Sequence, residues 1–126
     1  MSKFEYKIND YRITKISTNF DEIEEGPHQI SLDVSFNILV PNDESNNECI
    51  VIIIPTFSDE NGNVLVSLTS KAKLDALQYE KRSELSKLIS EQAVPEIYTK
   101  LRKSFENLMS ISQIDFIDLP VYNDFQ

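Results

Sequence analysis

The order of patterns along this chain constrains its fold more than any single residue does. Strand-like alternation fills the sequence up to about residue 75. Helical spacing follows, and the chain closes on an extended apolar stretch, Asp115-Phe116-Ile117-Asp118-Leu119-Pro120-Val121. Strands gathered ahead of helix argue for an α+β layer fold, a four-stranded antiparallel sheet followed by helix packed on one face. A parallel nucleotide-binding sheet would alternate the two. At 126 residues the chain is expected to form a single domain, 1–126, large enough to bury a core.

Phe4, Tyr6 and Ile8 alternate, and Tyr11, Ile13 and Ile16 continue the first strand. The slip between Ile13 and Ile16 predicts a bulge or bend. An acidic link with a Gly26-Pro27 turn follows. The clearest strand has Ile30, Leu32, Val34, Phe36 and Ile38 on one face and Gln29, Ser31, Asp33, Ser35 and Asn37 on the other. Pro41 closes it. Residues 50–54, Ile-Val-Ile-Ile-Ile, are apolar on both faces and need cover on both sides. Helix supplies one cover. A second subunit is the expected source of the other, with Val51 and Ile53 as its contacts; a covering loop is the competing explanation. Asn61-Gly62 marks a hairpin turn, and a fourth strand runs from Val64 to about Leu74, with Val64, Val66 and Leu68 on one face. Residues 74–82 read as a crossover. Helix starts near Ser83, restarts at Val94-Pro95, carries Ile97, Leu101, Phe105 and Leu108 as its apolar stripe, and ends near Ile111.

The residue inventory excludes much chemistry. Two glycines, both in turns, cannot build a phosphate-cradling loop or a dinucleotide fingerprint. One histidine, His28, and one cysteine, Cys49, make neither a His/Cys metal cluster nor a convincing nucleophile pair. Cys49 reads as a small buried hydrophobe. The carboxylates around residues 21–25 and 59–63 miss the spacing of a calcium loop. No catalytic residue, metal ligand or cofactor is therefore expected, and the chain is read as a non-enzyme. A formal charge of -9 disfavours nucleic acid and anionic membranes as partners. The apolar run from Cys49 to Ile54 is far short of the ~20 residues that span a bilayer, and the first residues show no signal core, so a cytoplasmic protein is expected.

Several segments resemble SecB, the bacterial export chaperone family, and the small SecB-like domains of low-GC Gram-positive bacteria. Gln29-Ile30-Ser31-Leu32-Asp33-Val34-Ser35-Phe36 looks like the family's second strand. Val94-Pro95-Glu96-Ile97-Tyr98-Thr99-Lys100-Leu101-Arg102 looks like the start of its helix, with proline followed by an aromatic and a basic position. Ile117-Asp118-Leu119-Pro120-Val121-Tyr122-Asn123-Asp124-Phe125 looks like the linker that follows. The family continues from there into a second helix that flanks its client groove and a tail that contacts the translocase motor. This sequence stops at Gln126, so an export role is not carried over with the fold.

The resemblance implies an ATP-independent holdase that binds unfolded or extended polypeptide. It also implies a homo-oligomer, dimer or dimer of dimers, with sheets stacked between subunits. Candidate client contacts are Leu74, Leu77 and Tyr79 in the crossover, Tyr98 on the helix, and Phe116, Ile117, Leu119 and Tyr122 in the tail. Core packing is the competing reading for the tail residues. A dedicated binding module for one protein, such as a toxin or antitoxin, is the alternative function, beside an oligomeric scaffold without an export role. An enzyme with an unmarked carboxylate pair comes third.

Overall fold

The computed structural model describes residues 3–20 and 29–122. The acidic link, His28 and residues 123–125 lie outside the described residues. Four strands, β1 (Glu5–Thr18), β2 (Ser31–Leu39), β3 (Glu48–Ser58) and β4 (Val64–Gln78), form one antiparallel sheet in the order β1-β4-β3-β2. A 3₁₀ turn (Arg82–Glu84), α1 (Leu85–Leu88), a π turn (Ile89–Ala93) and α2 (Val94–Ile111) follow and cover one face.

β1 keeps one face apolar by spending extra residues. Ile8, Tyr11, Ile13 and Ile16 stand opposite Leu74, Ala72, Ser70 and Leu68, all on the helix side of β4. Strict alternation from Ile8 would send Tyr11 and Ile13 to the other face, and strict alternation onward from Ile13 would send Ile16 there. Register shifts between Ile8 and Asp10 and between Ile13 and Lys15 absorb one residue each and restore the phase. The slip at Ile13–Ile16 is the second of these bulges. The first, between Ile8 and Tyr11, has the same spacing of three and was equally readable.

The two-faced strand settles by its neighbour. Val51 lies opposite Ala72 and Ile53 opposite Ser70, and both are fully buried under the helix layer. Val51 and Ile53 are therefore core residues, not contacts to a second subunit. Ile50 and Ile52 stand opposite Lys73 and Lys71 on the uncovered face, and Ile54 follows them there, all three partly buried. Ser70, the polar residue buried on the helix side, donates its hydroxyl to the Ile53 carbonyl at 3.0 Å.

β4 also runs further than its pattern suggested. Leu74 and Leu77 belong to the strand, and the crossover shrinks to residues 79–81. Ala72 and Ala76 sustain the inward alternation with too little side chain to announce it. At its other end a register shift between Phe57 and Ser58 breaks the pairing, leaving Val64 43% exposed while Leu65 and Val66 are both buried.

The helical layer is one rod with a widened turn. Every residue that flanks its pieces from Glu84 to Val94 has right-handed helical dihedrals; Ser83 lies inside the 3₁₀ turn, and the cap position of α1 is Glu84, which makes no side-chain capping bond. Pro95 has no N–H and its ring would crowd the preceding turn. The chain widens just before it: the Val94 N–H bonds the Ile89 carbonyl, five residues back. Tyr6 Oη donates to the Gln92 carbonyl in that turn at 3.2 Å. From there Val94, Ile97, Tyr98, Leu101, Phe105 and Met109 are buried at helical spacing. Met109, rather than Leu108, completes the stripe. Phe105 meets Phe57 of β3 with ring centroids 5.3 Å apart.

The β3–β4 turn is fastened by Asp59. Its carboxylate accepts the N–H groups of Asn63 and Asn61, each at 2.9 Å, and Gly62 supplies the positive φ of 83°. The Asn63 N–H, foremost among these donors, holds the Asp59 carboxyl below its ordinary value. A depressed carboxyl contributes stability that is complete above the unfolded pKa of about 3.9 and is lost as pH falls through the lower folded value. Amide shifts of Asn61 and Asn63 should therefore titrate in acid below the ordinary aspartate range, and Asp59→Asn should abolish that titration.

Cys49 is fully buried, and burial pushes its thiol up. Native protein is expected to resist thiol reagents, with labelling that tracks unfolding as urea is raised. Rapid stoichiometric labelling without denaturant would contradict this burial.

Candidate functional site

The margin between β2 and α2 gathers the features a peptide-binding surface needs. β2 is an edge strand, paired only with β3 among the described residues, so its outer N–H and C=O groups face away from the sheet. Its helix-side row, Leu32, Val34, Phe36 and Ile38, is incompletely covered, and Phe36 remains 39% exposed. Phe36, Tyr98 and Tyr122 form an aromatic cluster there. Tyr98 and Tyr122 centroids are 5.6 Å apart, and Phe36 stands 6.5 Å from Tyr98 and 6.2 Å edge-on from Tyr122.

The C-terminal segment is led to this margin by the helix end. Gln113 adopts φ 58°, the Ile114 N–H bonds the Met109 carbonyl at 2.9 Å, and the Gln113 N–H bonds the Ser110 carbonyl at 3.2 Å. These paired bonds make a Schellman cap, with glutamine where glycine is usual. The reversed chain then runs antiparallel to α2. Arg102 Nε donates to the Leu119 carbonyl at 3.0 Å, and Tyr98 Oη donates to the Pro120 carbonyl at 2.7 Å. Ile117 and Leu119 turn into the core, while Phe116 and Val121 point outward at 51% and 46% exposure. The tail thus lies as an extended peptide would, with alternate side chains inserted and its carbonyls bonded by helix side chains.

These positions divide the expected client contacts. Leu74, Tyr98, Ile117 and Leu119 are buried, because the sheet, the helix and the returning tail close over them. Their surfaces are not available to a client in this conformation. Tyr122 is half-buried in the aromatic cluster, and Phe116, six residues earlier, is half-exposed. Leu77 is exposed at the end of β4. Tyr79 is tied into a polar knot instead. Its hydroxyl donates to Asn47 Oδ1 at 2.9 Å and accepts from Arg82 Nη1 at 2.8 Å. Arg82 also reaches the carbonyls of Pro41, Asp43 and Asn46 and the Asn47 amide oxygen, so one guanidinium fixes the β2–β3 loop to the helix start. Phe36 is the functional candidate that the sequence did not mark. In the alternating pattern of β2 it is indistinguishable from its neighbours Leu32, Val34 and Ile38, which are more deeply buried.

Among the described residues no group of three or more His, Cys, Asp or Glu side chains could hold a metal ion, and no helix is long and apolar enough to cross a membrane. No family model and no curated protein matches the sequence. The fold does have a solved counterpart. The Mycobacterium tuberculosis Rv1957 SecB-like chaperone, in complex with a ChAD peptide from the Rv1956 HigA1 antitoxin, superposes with a TM-score of 0.66 over 92% of this chain and 86% of that one, at 14% identity. A four-stranded antiparallel sheet in this order, followed by one long helix and an extended return, gives this chain a SecB-like fold.

Proposed function

We propose that the protein is a non-enzymatic, ATP-independent binder of extended polypeptide segments, and that the β2–α2 margin is where it holds them. The observation that carries this reading is the Phe36–Tyr98–Tyr122 cluster beside an edge strand that pairs only with β3 among the described residues. An extended client gains main-chain hydrogen bonds along β2 and apolar contact with the rings, the two components of strand-addition recognition. The exposed Phe116 and Val121 extend the apolar surface. The SecB-like neighbour bound to an antitoxin peptide supports a peptide ligand for the fold.

The test is suppression of aggregation of a reduced, unfolded client. Suppression should fall when Phe36 is replaced by Ser, with circular dichroism confirming the fold. No suppression by the parent protein at large excess would defeat the holdase reading. A dedicated module is the second reading, favoured by the antitoxin peptide on the neighbour; pull-down of one protein rather than many would select it.

A homo-oligomer is part of the proposal. With Val51 and Ile53 inside the core, the sheet edge at β1 is the better site for a second copy. β1 is paired only with β4 among the described residues. Sedimentation of the parent protein as a monomer at all concentrations would remove this element.

A further inference from the structure

The tail runs along the β2–α2 margin, yet little of its hold belongs to the backbone. Among the described residues, the last backbone-to-backbone bond after α2 joins the Ile114 N–H to the Met109 carbonyl, and none reaches residues 115–121. Side chains do the holding. Ile117 and Leu119 are buried, Arg102 Nε donates to the Leu119 carbonyl at 3.0 Å, and Tyr98 Oη donates to the Pro120 carbonyl at 2.7 Å. Tyr122 meets Tyr98 and Phe36 edge-on. Between these anchors Phe116, Asp118 and Val121 are exposed.

A segment paired into a sheet cannot leave without breaking a ladder. This one can, because its anchors are sockets and donors on the rest of the molecule, open to any extended chain of the same spacing. The backbone entropy of fixing residues 115–121 is of the same order as the return from two buried aliphatics and two hydrogen bonds. Pro120 trims that cost by fixing its own φ and by disfavouring helix at Leu119, so the segment is pre-shaped as extended chain. Gln113, at φ 58°, holds the reversal in a region that side chains occupy at a cost, and release of the tail relieves it.

We propose that residues 115–122 are an exchangeable strap, the internal occupant of the peptide site, displaced when a client binds. The strap's own pattern then names the client class: an extended segment with two aliphatic side chains two residues apart followed by proline, as in Ile117-Asp118-Leu119-Pro120. This deepens the reading of the β2–α2 margin as a peptide site and rests on it. A client of that pattern fills the two aliphatic sockets and takes over the Tyr98 and Arg102 donors, whose acceptors are main-chain carbonyls. Side chains at the outward positions are not read, so many clients share the site. The strap covers the sockets while no client is present, and a client's apparent affinity scales with the fraction of molecules whose strap is undocked. A strap that is instead a fixed part of the core leaves only by unfolding, and the buried thiol of Cys49 in β3 reports that event.

The experiment uses the whole protein carrying Leu119→Cys, with Cys49 as internal reference, and a fluorescent peptide that copies residues 114–122. A second peptide has Ser at the positions that match Ile117 and Leu119. The copy peptide should speed thiol labelling at position 119 at least about fivefold while Cys49 stays protected, and the Ser peptide should change neither. In a separate Ile117→Ser variant the strap is loosened. The copy peptide should bind that variant at least about tenfold more tightly than the parent, with circular dichroism unchanged. Binding of the copy peptide without faster labelling at position 119 would overturn the strap and leave the peptide site standing. Labelling of Cys49 in step with position 119 would do the same, and equal binding of the Ser peptide would overturn the named pattern. A parent protein that suppresses no client aggregation, with an Ile117→Ser variant that binds neither peptide, would remove the site itself and the strap with it.

Discussion

Replacing Tyr98 by Ala is expected to cost about 3–5 kcal/mol in urea unfolding, the usual loss for a large buried aromatic. Tyr98 is fully buried, packs on Tyr122 and Phe36, and holds the tail through the Pro120 carbonyl. The tail should detach before the sheet unfolds, because its described helix-to-tail side-chain bonds come from Tyr98 and Arg102. Backbone exchange at Ile117 and Leu119 should therefore accelerate more than exchange in β3. Tyr98→Phe separates the two contributions. It keeps the ring and removes only the hydroxyl, for about 1 kcal/mol. A loss as large as that of Tyr98→Ala would mean that the hydrogen bond, not the packing, fastens the tail.

The second large effect is expected at Arg82. Its Nη1 donates to Asn47 Oδ1 and Tyr79 Oη, and its Nη2 to three loop carbonyls, at 2.7–3.2 Å. Its Nε is buried and meets no acceptor among the described residues. No carboxylate takes part in these bonds, so this is a positively charged fork neutralised by peptide and amide dipoles. Arg82→Ala should cost about 2–3 kcal/mol, less than the sum of the bonds, because the loop carbonyls can recover water. Arg82→Lys should restore little of it, since a single ammonium cannot span the same acceptors. The measurement is the urea midpoint together with amide exchange at Asn46 and Asn47. An unchanged midpoint with fast exchange would confine the knot to the loop and show that the helix start does not depend on it.

Much of this architecture was legible in the sequence, and the failures share a cause. Period-two alternation located β1 and β2, an unbroken apolar run located β3, and the Ile13–Ile16 spacing announced a bulge that the pairing contains. Where both faces of a strand are apolar, alternation cannot say which face is inside. In β3 that choice is made by β4, whose Ala72 and Leu74 stand on one side and whose Lys71 and Lys73 stand on the other. The sequence held this answer only jointly, in two strands whose register was unknown. Tyr98 failed for a different reason. A tyrosine amid charged neighbours reads as surface until an acceptor for its hydroxyl is in view, and that acceptor is a carbonyl 22 residues away. Phe36 was missed in the opposite sense, since nothing local distinguishes it from Leu32, Val34 and Ile38.

The two bulges of β1 bear on how this protein avoids sticking to itself without control. A 14-residue strand at the edge of a sheet is a template on which further strands can add in many registers. The bulges divide β1 into short segments and leave only a few alignments in which donors and acceptors match over more than one segment. A second copy that joins there must adopt one of those few registers, and once the two β1 edges pair, neither can take a third strand. The same extra residues that keep Tyr11, Ile13 and Ile16 on the helix side of the sheet thus turn this edge into a keyed one.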